Sequence, residues 1–353
     1  MYEYKTLYSP LLNFFKNPNF LIFGWPLISV VFLVITILTS LMIGAVFISP
    51  ESLFLGEMTN LEKTVLLTIR LPRILLSAIV GGGLAVAGAS LQGLFRNPLA
   101  DPTLIGIASG AALAVAFTIV IILPSLDVND GVFDLYCLAF AAFIGGMITT
   151  LIVFALARSE DQLSIAHILL GGIAMTAIAS AGTGIMIYIS NDNQLRALTF
   201  WTMGSFAGAL WPTVIVASSV VIPCSFWLIS LSRALNILLL GKDEAEHLGI
   251  NTQSIYTQVI VASALLIGVC VAVSGIIGFV GLVVPHIIRL ALSSDHRILL
   301  PLSVIFGAIL LVLADTLARN VILPSEMPVG VITSLIGGPF FLWLLVRKKG
   351  GFL

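Results

Sequence analysis

Residues 74–95 and 102–126 hold no charged side chain, and each run exceeds the ~20 apolar residues that cross a bilayer as a helix. Between them stands Arg96-Asn97-Pro98-Leu99-Ala100-Asp101, with Pro102 following. Proline lacks a backbone donor and cannot continue a helix, so this segment predicts a hairpin between two membrane spans. Composition agrees. Apolar residues make up 59% of the chain and charged residues 9%, and mean hydropathy is +1.14. A soluble domain carries about 25% charged residues, so lipid must be the solvent here. The fold class is all-α and polytopic. A net charge of −1 gives no basic field for nucleic acid.

Runs 17–50, 135–156 and 162–191 are also uncharged and long enough, which makes five spans. Run 197–232 is too long for one span and contains Trp211-Pro212. It predicts a short helix over about 197–209 and a sixth span from Pro212. Run 247–288 is broken by Ser274-Gly275-Ile276-Ile277-Gly278, giving spans seven and eight. Runs 298–318 and 329–346 are spans nine and ten. The ten-span domain thus covers 20–346, with a segment 1–19 before it and a basic tail 347–353 after it. The first apolar run is too long for a signal peptide and reads as a retained span. Glycines are dense within the spans (Gly81-Gly82-Gly83, Gly88, Gly145-Gly146), where small residues let helices approach closely.

Ten spans put both termini on one side. That side collects Lys5, Lys16, Arg96, Arg158, Arg233, Lys242, Arg289, Arg297, Arg347, Lys348 and Lys349. The other has Lys63, Arg70, Arg73, Arg196 and Arg319. Cytoplasmic loops are the basic ones, so both termini are expected in the cytoplasm.

The chain carries no catalytic set. The ATP-binding pattern G-x-x-x-x-G-K-[ST] is absent; Gly241-Lys242 is followed by Asp243. Spans are poor in the mid-membrane ionisable groups of an ion-coupled carrier. Energy for any pumping would come from another subunit. His286 and Arg289 share a helical face, but no second ligand stands at metal spacing, so no metal site is expected. Cys137, Cys224 and Cys270 read as small buried hydrophobes.

Two charged places invite partners. The loop over about 233–255 contains Leu240-Gly-Lys-Asp-Glu-Ala-Glu-His-Leu-Gly249. Asp243 is placed to cap a short helix with Glu246 completing a capping box, and Gly249 suits the left-handed residue that ends it. Ala245 and Leu248 would share one side, with Glu244 among the acids at the start. Such a helix is marginal alone. It is either an ordinary capped loop or a contact with another protein. On the opposite side, Arg70 and Arg73 flank Pro72, which suits the first turn of span two. Cations at a helix N-terminus cost roughly 0.3–1 kcal/mol, so lipid phosphate or an acidic partner should offset them. Arg319 joins this group, and Asp315 can pair with it at i−4.

In order along the chain, Arg70-Leu-Pro-Arg73, the segment 88–102, Phe279-Val-Gly-Leu-Val-Val-Pro-His286, Asp315 with Arg319, and Glu326-Met-Pro-Val-Gly330 resemble the permease subunits of bacterial iron–siderophore, heme and cobalamin ABC importers, the FecCD type. The resemblance runs from about residue 70 to the C-terminus. It implies a type II importer permease in the bacterial cytoplasmic (inner) membrane. The permease would pair with a second copy or a paralogue, and the substrate path would run along the dimer axis. An ATP-binding cassette ATPase dimer, which holds the ATP and magnesium, would receive Asp243, Glu244, Ala245, Glu246, Leu248 and Gly249 as a coupling helix. A periplasmic or lipid-anchored binding protein would dock on Arg70, Arg73 and Arg319. Leu163, Ser164 and Ile165 would form the cytoplasmic gate. Three words look closest to the heme permeases: Gln92-Gly-Leu-Phe-Arg96, Leu198-Thr-Phe-Trp-Thr-Met-Gly204 and Glu244-Ala-Glu-His-Leu-Gly249. Heme is therefore the expected substrate, with a ferric siderophore or cobalamin as the alternative. Met175, Met186, Tyr188 and Met203 are candidates to touch it. The chain itself holds no cofactor in this reading.

Overall fold

The computed structural model describes residues 24–44, 48–55, 58–101, 106–126, 131–159, 162–322 and 325–349. The segment 1–19 lies outside them. The chain is a bundle of helices, as expected. In order they are α1 (Trp25–Met42), α2 (Asn60–Leu94), α3 (Ile107–Leu126), α4 (Gly131–Ala157), α5 (Ile165–Ile189), α6 (Asp192–Met203), α7 (Trp211–Ser230), α8 (Ser232–Leu238), α9 (Lys242–His247), α10 (Thr252–Ser274), α11 (Val280–Ala291), α12 (His296–Asn320) and α13 (Val329–Lys349). A short helix, Pro50–Leu55, precedes α2. Two two-residue strands, β1 (Arg158–Ser159) and β2 (Gln162–Leu163), pair antiparallel between α4 and α5.

Among the described residues nine helices are long and apolar enough to cross a membrane. The expected eighth span, α11, has 12 residues and rises only about 18 Å, short of the ~30 Å hydrocarbon layer. It is a half-span. The chain enters it through Gly275 in a left-handed turn and Phe279 at φ 69, so the Ser274–Gly278 break lies inside the bundle. The short helix expected over 197–209 instead occupies Asp192–Met203. Asn191 and Gln194 form a reciprocal capping box that starts it early, and Gly204 at φ 72 ends it.

α2 is the central post. Of its most apolar window 83% is buried, against 17% for α5. α12 packs along the length of α2, with α7, α10 and α11 around it. The α2–α12 contact is backbone on backbone: a methyl on Gly81 would strike the carbonyl of Gly307, and one on Gly307 would strike that of Gly81. Only glycine allows this approach. α3, α4 and α5 form a second group joined to the first by α10, and α1 lies against α12.

The start of α2 corrects the reading of its arginines. The helix begins at Asn60, where Thr59 and Glu62 make a capping box. It runs through Pro72 by way of a π-helical stretch, Val65–Arg70, in which Leu71 N–H reaches back to Leu66 C=O. Arg70 and Arg73 are therefore interior helix residues and do not stand at an exposed N-terminus.

Candidate functional site

Arg73 is the centre of a buried ion cluster. Its Nε and Nη2 donate to Asp315 Oδ1 at 3.0 and 2.9 Å, and its Nη1 donates to Glu326 Oε2 at 2.7 Å. Arg319 Nε lies 3.3 Å from Asp315 Oδ2, and its Nη2 donates to Ser40 Oγ at 2.9 Å. Arg70 Nη1 donates to the Leu41 carbonyl at 2.7 Å. These bonds tie α1, α2, α12 and the segment before α13 together. Arg70 and Arg73 are 4% exposed, Arg319 8% and Asp315 0%. The three arginines thus do not form the open basic surface that the sequence suggests. Two guanidiniums share the Asp315 carboxylate, Arg73 from the neighbouring helix α2 and Arg319 from one turn further along α12, and Glu326, whose side chain is 44% exposed, is the cluster's link to solvent. A buried charge is tolerable only with such partners.

The opposite end carries α9, and here the side chains stay in water. Asp243, Glu244, Glu246, His247 and Leu248 are exposed. The expected capping box does not form. The helix starts two residues early, at Lys242, with Gly241 at φ 138 as its N-cap and no side-chain cap. Asp243 is thereby drawn inside the first turn, and Glu246 Oε1 accepts from Thr252 Oγ1 at 2.6 Å instead. The C-terminus is as expected. Gly249 is left-handed at φ 82, its N–H reaches Glu246 C=O and that of Ile250 reaches Ala245 C=O, both at 3.0 Å. Ala245 and Leu248 do not share a side. Ala245 is buried in the bundle, whereas Leu248 is 61% exposed, and Leu239 and Leu240 just before the helix are exposed too. The result is an acidic knob with apolar tips.

α8 fastens this knob to the bundle. Asn236 Nδ2 donates to Asp295 Oδ1 at 2.7 Å, and Asn236 Oδ1 accepts from His296 N–H at 2.9 Å. Asp295 caps α12 by accepting from Arg297 N–H at 2.9 Å. Hydrogen bonds from the Arg297 side chain, with those of the Arg297 N–H and Asn236, hold its carboxyl down to about 2. Arg289 bonds Gln92, whose amide donates to Gly281 C=O at 3.1 Å, so α11 is tied to α2. His286 lies buried against the rings of Phe340 and Phe341.

At the expected gate, Leu163 ends β2 and Ser164 is the N-cap of α5, 3.5 Å from His167 N–H. Ser164 and Ile165 are half-buried.

A cavity of about 560 Å³ opens between α3 and α5 beneath Ile276. Its wall carries Ser109, Thr176, Ser180 and Thr183 among alanine, glycine and isoleucine residues. Ser109 Oγ donates to Gly106 C=O at 2.9 Å and lies 3.3 Å from Thr176 Oγ1. None of Met175, Met186, Tyr188 or Met203 lines it. Met175 and Met186 pack against the core, and Tyr188 and Met203 are exposed. On α5 this wall is a row of small hydroxyls at helical spacing, Thr176, Ser180 and Thr183.

Residues 32–347 match the FecCD transport family. The hemin transport system permease protein HmuU of Yersinia pestis is 47% identical over 321 residues, covering 90% of this chain and 94% of its own length. The vitamin B12 import system permease protein BtuC of Vibrio cholerae is 41% identical over 308 residues, covering 87% and 89%. Among solved structures, an inward-facing conformation of a metal-chelate type ABC transporter superposes with a TM-score of 0.82 at 34% identity, over 92% of this chain and 99% of that one. PsaBC from Streptococcus pneumoniae, with a TM-score of 0.51 and 16% identity over 83% of this chain and 93% of that one, shares the fold alone.

Proposed function

This chain belongs to the FecCD transport family, and on that premise we propose that it carries heme inward across the membrane. It is the permease subunit of a type II ABC importer and a multi-pass inner-membrane protein. It is not an enzyme; ATP hydrolysis belongs to a separate subunit. Heme as substrate rests on one observation, the 47% identity to a hemin permease. A second reading, cobalamin, is favoured by the 41% identity to a vitamin B12 permease.

In the proposed arrangement both termini and α9 face the cytoplasm. An ATPase dimer, bearing ATP and magnesium, grips the exposed acids and Leu248 of α9. A second copy of the permease completes the path, with the hydroxyl-lined cavity as part of its wall and the segment Leu163-Ser164-Ile165 as the inner gate. A binding protein delivers heme at the end that holds Arg73. Docking there is assigned to that end as a whole, because the three arginines are engaged within the chain.

The test is reconstitution in proteoliposomes with the ATPase and binding protein. ATP-driven uptake of heme without uptake of cobalamin is expected, and the permease alone should hydrolyse no ATP. Uptake of cobalamin with no uptake of heme would transfer the assignment to the second reading.

A further inference from the structure

A second recess lies between the starts of α4 and α7, the C-terminal half of α6 with the loop after it, and the end of α10, with a volume of about 360 Å³. Leu135, Tyr136, Phe200, Trp201, Leu210 and Val216 line it. All but Trp201 are exposed, so the recess is open along its side. An open apolar recess in a membrane bundle faces acyl chains, and filling it with water would forgo the burial of that surface. Tyr and Trp in such a place suit the depth of lipid head groups.

Charges of both signs stand on the helices that line the recess, each one turn before a lining residue: Arg196 before Phe200 and Asp134 before Leu138. Arg196 stands exposed on α6 directly before Ala197, which lines the recess, and one turn before Phe200. It makes no ion pair or hydrogen bond among the described residues. Asp134 stands half-buried on α4 directly before Leu135 and is likewise unpaired among the described residues. Asp192 lies one turn before Arg196 and is exposed. A purely anionic head group would meet these carboxylates as well as the guanidinium. A head group with both phosphate and ammonium satisfies both signs.

We propose that this recess is a lipid site, holding one acyl chain of a bilayer phosphatidylethanolamine with its phosphate at Arg196 and its ammonium at Asp134. It depends only on the chain spanning a bilayer and not on the identity of the cargo.

Native mass spectrometry of the detergent-purified permease tests this with phosphatidylethanolamine and phosphatidylglycerol of identical chains. One phosphatidylethanolamine per chain should survive purification, with a preference of about five-fold over phosphatidylglycerol, the scale of an exposed charge pair. Arg196→Gln and Asp134→Asn should each erase that preference, and Ala139→Phe, which fills the recess, should remove the bound lipid. In nanodiscs, phosphatidylethanolamine brominated on its acyl chain should quench wild-type fluorescence more than that of Trp201→Phe, a reading that needs no recess-filling variant. Absence of retained lipid, equal retention of both head groups, displacement of the lipid by heme, or its loss on dimerisation would overturn the proposal.

Discussion

At one end of the bundle the charged atoms of Arg73, Asp315 and Arg319 lie within 3.3 Å of their partners and almost out of reach of solvent. At the other end Asp243, Glu244 and Glu246 stand in water, and Lys242 lies 4.0 Å from Glu246. Both groups flank apolar runs, and both look like partner contacts when read along the chain. The difference is sign. The first set brings opposite charges from two helices to one point, so it can neutralise itself and be buried. The second is mostly acidic. It cannot neutralise itself, so desolvating it within the chain would be costly, and it remains available to a partner. A charge beside a span is evidence of exposure only when no opposite charge can reach it.

The largest test of this contrast is Asp315→Ala, which leaves two guanidiniums buried without their shared carboxylate. Stability should fall by about 3–5 kcal/mol, seen as a lowered melting temperature in detergent. A loss under about 1 kcal/mol would mean that water or lipid phosphate reaches the cluster and that the arginines are open to partners after all. Next is Leu248→Asp at the other end. Melting should stay within about 0.5 kcal/mol of wild type. ATP-driven uptake should drop more than about ten-fold, because a charge buried in the ATPase contact has no partner. Normal uptake would leave the knob as a solvated loop. The smallest effect is at Asp295, whose carboxyl titrates at about 2, below its ordinary value near 3.9. A depressed carboxylate stabilises the fold above the unfolded value and loses that effect as pH falls. Against Asp295→Asn, which still caps α12, wild type should be more stable by under about 1 kcal/mol near neutrality. The gap should close between about pH 4 and pH 2. A pH-independent gap would show that Arg297 contributes through geometry and not through charge.

The spans were legible because unpaired charge facing lipid is costly and therefore rare, and the breaks at Trp211-Pro212 and 274–278 were legible because Pro and Gly mark them. The start of α2 was not, since hydropathy ends at Arg73 while the helix continues to Asn60 beyond it; the word Thr59-Asn-Leu-Glu62 carried the signal. α6 was displaced for the same reason, with Asn191-Asp-Asn-Gln194 as the overlooked cap. At α9 the pattern Asp243-x-x-Glu246 was present and lost to Gly241, whose backbone angle starts the helix first. The i−4 pairing of Asp315 with Arg319 was legible, but burial of Arg73 depended on Asp315 and Glu326, far away in sequence, and on a register between α2 and α12 that no local pattern encodes.

The glycine contact between α2 and α12 has a mechanical consequence. At Gly81 and Gly307 the two backbones meet directly, so at that point there is no rotamer to absorb a push and the two helices form a stiff strut. α12 alone has 25 residues and spans roughly 37 Å, from Asp295 beside α8 to Arg319 in the ion cluster. A displacement imposed on α9 would have a direct route, through α8 and the Asn236–Asp295 bond, into the foot of that strut and on to the ion cluster at its far end.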